Sequence, residues 1–317
     1  MSKRILITGA AGFIGSNLTK SCIDRGWIVD GVDDMSNGHQ EFIPDGMNFF
    51  MLQDFASKAV LARVKSGVYD CVFHLAAIPR VSYSVEHPLE THETNVTKTL
   101  DLMDACLGRV KRFVFASSSS VYGGADILPT PESHPKDPKS PYALQKSIIE
   151  DYLRVYNNLY GLDSVALRFF NVFGPNQLGD SPYSTAVSAW LTAIKRGVSM
   201  RSDGDGSQSR DLCYIDNVVD ACIRAGSHTK LLKAEAFNVA CGDRTSNLEI
   251  LEYLKKKYPD ATHHSAPWRP GDVMHTQASV NRIEEVLGYV PLVKIWEGVD
   301  RTAAWYDSNW DWINKIG

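Results

Sequence analysis

Tyr142 and Lys146 stand four residues apart in the stretch "SPYALQKS", residues 140 to 147. Pro141 fixes φ near the helical value and has no N–H to leave unbonded, so it suits the first turn of a helix. Four residues make about one helical turn, which puts the phenol and the ammonium on one face. A free phenol has a pKa of about 10, too high for a good base at neutral pH. An ammonium beside it favours the phenolate and makes it an acid/base near neutral pH. The plain alternative is an aromatic ring packed on a lysine stem. Eight residues leave both open.

A second set of residues suits a dinucleotide. "TGAAGFIG" places Gly9, Gly12 and Gly15 directly behind the short apolar run "RILIT". Glycines at such a turn let the backbone approach a pyrophosphate, which the N-terminus of the following helix stabilises. Asp33 ends the next apolar run, where a carboxylate holds a ribose hydroxyl and repels a 2′-phosphate. The expected cofactor is therefore NAD and not NADP. The plain readings are a glycine turn and a turn-forming Asp in "DDMSNG".

The elements that must position these groups alternate. "RILIT", "WIVDGVD", "VYDCVFHLAA", "KRFVFASSSS" and "DSVALRFFNV" read as strands. "NLTKSCIDRG", "ETNVTKTLDLMDACLG" and "ALQKSIIEDYLRVYNNLYG" read as helices between them. That rhythm predicts a Rossmann-like α/β fold, a doubly wound parallel sheet covered on both faces. After Asn171 it breaks, and "FGPNQLGDSPYSTAV" and "RSDGDGSQSR" read as loops. A helix from near Asp216 and the strand "AFNVA" return to the sheet. The expected division is a dinucleotide domain over 1–170, completed by segments within 210–241. A smaller, interleaved C-terminal lobe over 171–209 and 242–317 would bind substrate.

The 317 residues are 44% hydrophobic and 22% charged, with a net charge of −4, so no basic field suggests nucleic acid or an anionic membrane. No apolar run approaches the length of about 20 residues that a bilayer needs. The apolar run in "MSKRILITGAAG" ends at a glycine turn and is too short for a signal peptide. Six cysteines without a C-x-x-C read as reduced, buried thiols of a cytoplasmic protein, and no spaced Cys/His cluster suits a metal.

In chain order, "TGAAGFIG", "HLAA", "SSSSVYG", "PYALQK", "LRFFNVFGP", "QSRDLCYIDN" and "RPGDV" resemble the motifs of extended short-chain dehydrogenase/reductases. Among these the chain is most similar to nucleotide-sugar 4-epimerases of the UDP-N-acetylglucosamine/UDP-glucose type, from Lys3 to about Trp305. The resemblance implies that Tyr142, Lys146 and Ser118 are catalytic, with Tyr142 taking the proton of the sugar 4-hydroxyl while bound NAD accepts and returns the hydrogen of carbon 4. It implies cofactor contacts from Gly9, Gly12, Phe13, Ile14, Gly15 and Asp33, and from Ser36 and Asn37 on the turn that follows. Asp54 with Phe55 would meet the adenine, Leu75, Ala76 and Ala77 the middle of the cofactor, Asn95 its ribose wall, and Val172 the carboxamide. Tyr142 and Lys146 would also touch the nicotinamide ribose.

For the substrate, the resemblance implies Ser118, Ser119, Tyr142, Asn171, Arg201, Arg210, Arg269, Asp272 and Thr276. Arg210 and Arg269 match the diphosphate-binding arginines, and a guanidinium suits phosphate. Thr276 stands at the family's gatekeeper position, where a tyrosine excludes an N-acetyl group and a small residue admits it. Ser119 and Ser120 stand where related dehydratases carry Asp and Glu; a hydroxyl is a poor acid for a departing 6-hydroxyl, which favours epimerisation. The expected partners are a UDP-sugar and a second copy, joined through a four-helix bundle of the 94–108 and 141–160 helices. Two departures keep a uronate or pentose open as the sugar. Ser82 and Tyr83 replace the usual Pro-Arg, with an arginine displaced to Arg80, and Arg201 and Asp203 replace an aromatic and an asparagine. A non-catalytic NAD-binding sensor is the other alternative; such proteins typically lack the Tyr/Lys pair.

Overall fold

The computed structural model describes residues 2–180, 184–268 and 273–316. Seven strands form one parallel sheet: β1 (Arg4–Thr8), β2 (Ile28–Asp33), β3 (Phe49–Leu52), β4 (Cys71–His74), β5 (Arg112–Ser118), β6 (Ser164–Phe169) and β7 (Glu235–Val239). Their spatial order is β3-β2-β1-β4-β5-β6-β7. Every neighbouring pair is parallel, with Ile7 level with Gly31 on one side and with Phe73 on the other. The order reverses between β1 and β4, and ligands of such sheets bind in the crevice beyond the strand ends at that point. Thr8 and His74 are those two ends.

Both faces are covered, so the strands are apolar without interruption. Ile5, Ile7, Phe73, Val114 and Leu167 join one core layer, which includes α5 (Ile215–Ser227) and α1 (Phe13–Asp24). Leu6, Val72, Phe113, Phe115 and Ala166 join the other, under α2 (Lys58–Lys65), α3 (Lys98–Cys106) and α4 (Pro141–Tyr160). The period of two along each strand sends alternate side chains to opposite layers.

The helix that carries Tyr142 is α4. Ser140 caps its start by accepting the Ala143 N–H (3.2 Å), Pro141 occupies the first turn, and Gly161 ends it at φ +72°. These are the residue types that open and close helices.

The structure departs from the sequence reading in three places. The helix over "ETNVTKTLDLMDACLG" opens as a π-turn, Glu93–Thr97, and becomes α-helical only as α3. The extra residue in that turn accompanies Asn95, whose amide is bound outside the helix. "RSDGDGSQSR" is not a plain loop. Met200–Asp203 pairs in parallel with His263–Ala266, and Ser209–Arg210 pairs antiparallel with Thr245–Ser246. Both partners lie far along the chain, so local composition carried no sign of them. Between the two stretches read as loops lies a helix, Ala186–Lys195, which begins at the last two residues of "FGPNQLGDSPYSTAV".

Among the described residues no helix is long and apolar enough to cross a membrane, and no cluster of His, Cys, Asp and Glu suits a metal. The cysteines are free thiols, all buried except the half-buried Cys241.

Candidate active site

The turn after β1 is built by close backbone approach. Gly9 stands at φ +73°, a region that disfavours side chains, and its N–H binds the Val32 carbonyl (2.9 Å). A Cβ on Gly15 would lie 1.9 Å from the Gly9 carbonyl oxygen. Packing this tight brings the start of α1, with Phe13 and Ile14, directly over the end of β1, where the first N–H groups have no intrahelical partner. From β4, the N–H groups of Leu75 and Ala76 donate to the Thr8 hydroxyl (3.2 and 3.1 Å), which joins the two strands at the switch point; Ala77 follows, half-buried.

Asp33 ends β2 and faces this turn. Its carboxylate accepts the N–H of Ala11 (3.0 Å) and of Met35 (2.9 Å). Burial pushes its pKa above the usual carboxylate range, against the pull of those two donors. Ser36 and Asn37 are exposed on the turn behind it. Asp54 is half-buried, paired with Lys98 (2.5 Å) and bonded by the Ala56 N–H (2.8 Å). Phe55 is turned into the core, its ring 4.8 Å from that of His74. Asn95 clamps Ile78 on both sides, accepting from its N–H (2.8 Å) and donating to its carbonyl (3.0 Å), and also donates to Gln145 (2.8 Å).

Tyr142 and Lys146 on α4 lie against β5, which ends at Ser118. The Tyr142 backbone N–H donates to the hydroxyl of Ser84 (3.1 Å), a buried serine that anchors the first turn. Lys146 Nζ donates to the Ala116 carbonyl (2.8 Å) and lies 4.7 Å from the Phe115 ring centre and 5.8 Å from that of Tyr142. Burial brings the Lys146 pKa down to about 7, opposed by the charge of Glu150. Ser118 ends β5 two residues beyond Ala116, and its oxygen accepts from the N–H (3.2 Å) and the hydroxyl (2.9 Å) of Ser120. With its oxygen so occupied, the Ser118 hydroxyl proton remains to be donated. Ser119 begins the 3₁₀ turn Ser119–Tyr122 and is half-buried.

The residues expected to meet the substrate lie on three distant segments. Asn171, at φ +25°, donates to the Asp211 carbonyl (3.3 Å) and to the Thr276 hydroxyl (3.2 Å). Val172 is level with Cys213 in a short parallel bridge. Arg210 Nη1 donates to the carbonyls of Ser209 and Met274, both at 3.1 Å. Arg201 is exposed and paired with Asp203 (2.8 Å). Arg269 and Asp272 lie outside the described residues. Asp211 binds these segments together. Its buried carboxylate accepts the N–H groups of Cys241 (2.9 Å), Gly242 (3.0 Å) and Ala278 (3.0 Å). Burial raises its pKa to about 7 despite those donors. The sequence reading assigned no role to Asp211 or Ser84; the one signal for Asp211 was its place in "QSRDLCYIDN".

Residues 5–240 match the model of the NAD dependent epimerase/dehydratase family. The chain belongs to that family. Over 313 residues it is 36% identical to a UDP-glucose 4-epimerase of Mycolicibacterium smegmatis, covering 96% of this chain and 98% of the relative. It superposes with a TM-score of 0.91 on the UDP-glucose 4-epimerase of Thermotoga maritima solved with UDP-glucose, at 32% identity over 97% of this chain and 99% of that one. The TM-score is also 0.91, at 33% identity and the same coverage, for the UDP-N-acetylglucosamine 4-epimerase of Methanobrevibacter ruminantium in complex with UDP-N-acetylmuramic acid.

As a member of this family the chain uses NAD. The residues present fit that cofactor. The Gly9–Gly15 turn leaves a cradle lined by backbone at a helix N-terminus, which suits a pyrophosphate. Each oxygen of Asp33 accepts a single backbone N–H, so lone pairs remain for a ribose diol.

Proposed function

We propose that this enzyme is an isomerase, an NAD-dependent UDP-sugar 4-epimerase, and that it acts on UDP-glucose and UDP-N-acetylglucosamine and their galacto epimers. The observation that carries the reading is the buried Tyr142–Lys146 pair at the head of α4, with Ser118 on the strand whose Ala116 carbonyl orients Lys146. Tyr142 takes the proton of the 4-hydroxyl and gives it back, and the Lys146 ammonium favours the phenolate it needs. Ser118 donates a hydrogen bond to the reacting oxygen. Bound NAD supplies the reversible two-electron acceptor for carbon 4. Ser119 and Ser120 offer no carboxylic acid for loss of the 6-hydroxyl, so the chemistry ends at epimerisation.

Gly9, Gly12, Phe13, Ile14 and Gly15 hold the pyrophosphate in this scheme. Asp33, Ser36, Asn37, Asp54 and Phe55 surround the adenosine, and Leu75, Ala76, Ala77, Asn95 and Val172 surround the nicotinamide side. Ser119, Asn171, Arg201, Arg210, Arg269, Asp272 and Thr276 receive the UDP-sugar. The dinucleotide unit is 1–170 with part of 210–241, and 171–209 with 242–317 form the substrate lobe. Leu144, Tyr152, Val155 and Leu159 make an exposed apolar stripe on α4 that a homodimer through a four-helix bundle would cover. Six free thiols suit a reducing cytoplasm.

Proton NMR of the purified protein with each UDP-sugar, without added NAD, tests the reading. New anomeric signals of the galacto epimers are the expected result, and their absence with both sugars overturns the hexose assignment. Thr276→Tyr tests the gatekeeper. Turnover of UDP-N-acetylglucosamine should fall about 100-fold relative to UDP-glucose, of the order a steric pocket change supplies. Equal losses on both sugars would mean that only the Asn171 contact had been broken.

One observation favours a second sugar. Arg80 is half-buried, and its Nε is buried with no hydrogen-bond partner. It begins the helix Val81–Glu86, whose Ser84 anchors Tyr142. A partly desolvated cation there fits the carboxylate of a UDP-uronate. The same NMR assay with UDP-glucuronate decides it.

A further inference from the structure

One turn beyond Lys146 on α4 lies a carboxylate that the chemistry above does not use. Tyr142, Lys146 and Glu150 are spaced four apart and share a face. Glu150 is 5% exposed. Its Oε1 accepts the Ser117 hydroxyl (2.6 Å) and Arg168 Nε (2.9 Å), and its Oε2 accepts Arg168 Nη2 (2.7 Å). Ser117 stands on β5 between Ala116, whose carbonyl holds Lys146, and Ser118. Arg168 is level with Ser117 on β6. Arg168 is itself held by donation to the Tyr122 hydroxyl (2.7 Å) and the Glu132 carbonyl (3.1 Å), and Tyr122 donates on to Asn238 (2.7 Å). Glu150 is thus fixed from two strands as well as from its own helix.

A buried ion pair of this kind is weak evidence for stability, because apolar residues of similar volume often serve as well. Its place points to another role. We propose that Glu150 is a positioning residue for the reaction, its fixed negative charge holding Lys146 in the ammonium form beside Tyr142. Ser117 and Arg168 hold that carboxylate in place. This inference rests on the assignment of Tyr142 and Lys146 to proton transfer.

The charged and titratable groups around Glu150 are few. Arg168 faces it from β6, Lys136 from the loop before α4 at 3.7 Å, and Lys146 lies on its own helix. Lys136 is drawn away towards Asp151 (2.8 Å). Beyond Arg168 lie Tyr122 and Glu132, which meet Arg168 and not Glu150. Burial disfavours the Lys146 ammonium, and Glu150 opposes that effect.

The sign of the test follows. Without the Glu150 charge, Lys146 loses its proton at lower pH, whereas below that pH it remains an ammonium with or without Glu150. The alkaline limb of kcat against pH should therefore move down, with no upward move of the acid limb. We expect Glu150→Gln to move the alkaline limb down by about one pH unit and to lower kcat at pH 8 about tenfold or more. Bound NAD should stay at wild-type stoichiometry. Glu150→Gln leaves Arg168 buried without its partner, so the double variant Glu150→Gln/Arg168→Gln removes both charges and keeps polar groups in their place. Glu150→Asp withdraws the charge by one methylene and should shift the alkaline limb the same way, by less. Limbs that stay at wild-type pH in every folded variant, with kcat lowered equally at all pH values, mean a structural role and overturn the inference. Failure of the wild-type protein to epimerise any UDP-sugar would instead overturn the proposed function.

Discussion

Tyr142→Phe should fold, retain NAD and lose epimerisation by about 10²- to 10⁴-fold in kcat, the range that a positioned acid/base contributes. The substitution removes one oxygen and keeps the backbone and the ring. The contact that anchors the first turn of α4 runs from the Tyr142 backbone N–H to Ser84, which phenylalanine keeps. The Lys146 ammonium is held by the Ala116 carbonyl, which phenylalanine also keeps. Neither the glycine cradle nor Asp33 is touched. NMR turnover, bound NAD released on denaturation and the thermal midpoint together check this. Turnover within a few-fold of wild type would assign the proton transfer to another group. A lost midpoint would show that the hydroxyl is structural.

Gly15→Ala should remove NAD and destabilise the fold. A Cβ at Gly15 would stand 1.9 Å from the Gly9 carbonyl oxygen and 2.7 Å from its carbon. Both are backbone atoms, and no rotamer change relieves the clash, so α1 must move off the end of β1. Gly9 cannot retreat either, since its own Cβ position is already 2.9 Å from the Ala76 N. The expected cost is about 1–3 kcal/mol, as for overpacking in a core, or more. Bound NAD should fall below half-stoichiometry, because the helix N-terminus no longer meets the turn. Gly12→Ala is the control: its Cβ has no neighbour closer than 3.4 Å, so the melting temperature should barely move. Equal melting temperatures for the two variants would mean that the α1 turn is more yielding than its packing indicates.

The two predictions differ in how far the sequence foretold them. The glycine turn was legible because its function is local. Spacing, a preceding apolar run and a following helix lie within 20 residues, and each is a requirement of backbone geometry. The Tyr142–Lys146 spacing was equally legible as a helical face. What it could not reveal was the depth of the pair. Lys146 is buried because β5 passes beneath α4, and that contact brings Ala116 to Lys146 and Ser117 to Glu150 from 30 and 33 residues away.

The residues expected to meet the substrate were the least legible part. Asn171, Asp211 and Thr276 are widely separated in the chain, yet one amide and one hydroxyl connect them. The strands that carry Arg201 and Arg210 looked like loop because serine, glycine and aspartate dominate them. They are strands only because His263–Ala266 and Thr245–Ser246 come alongside. Pairing of short strands is decided by the partner and not by intrinsic preference.

By itself, then, the sequence determined the alternating sheet, the glycine turn with Asp33 and the face shared by Tyr142 and Lys146, since each follows from local period and backbone sterics. Only the tertiary structure decided the burial that lowers the Lys146 pKa, the Glu150–Arg168 pair behind it and the clamp of Asp211 on three segments. These depend on desolvation and on contacts between residues distant in the chain, and neither is a property of a short stretch.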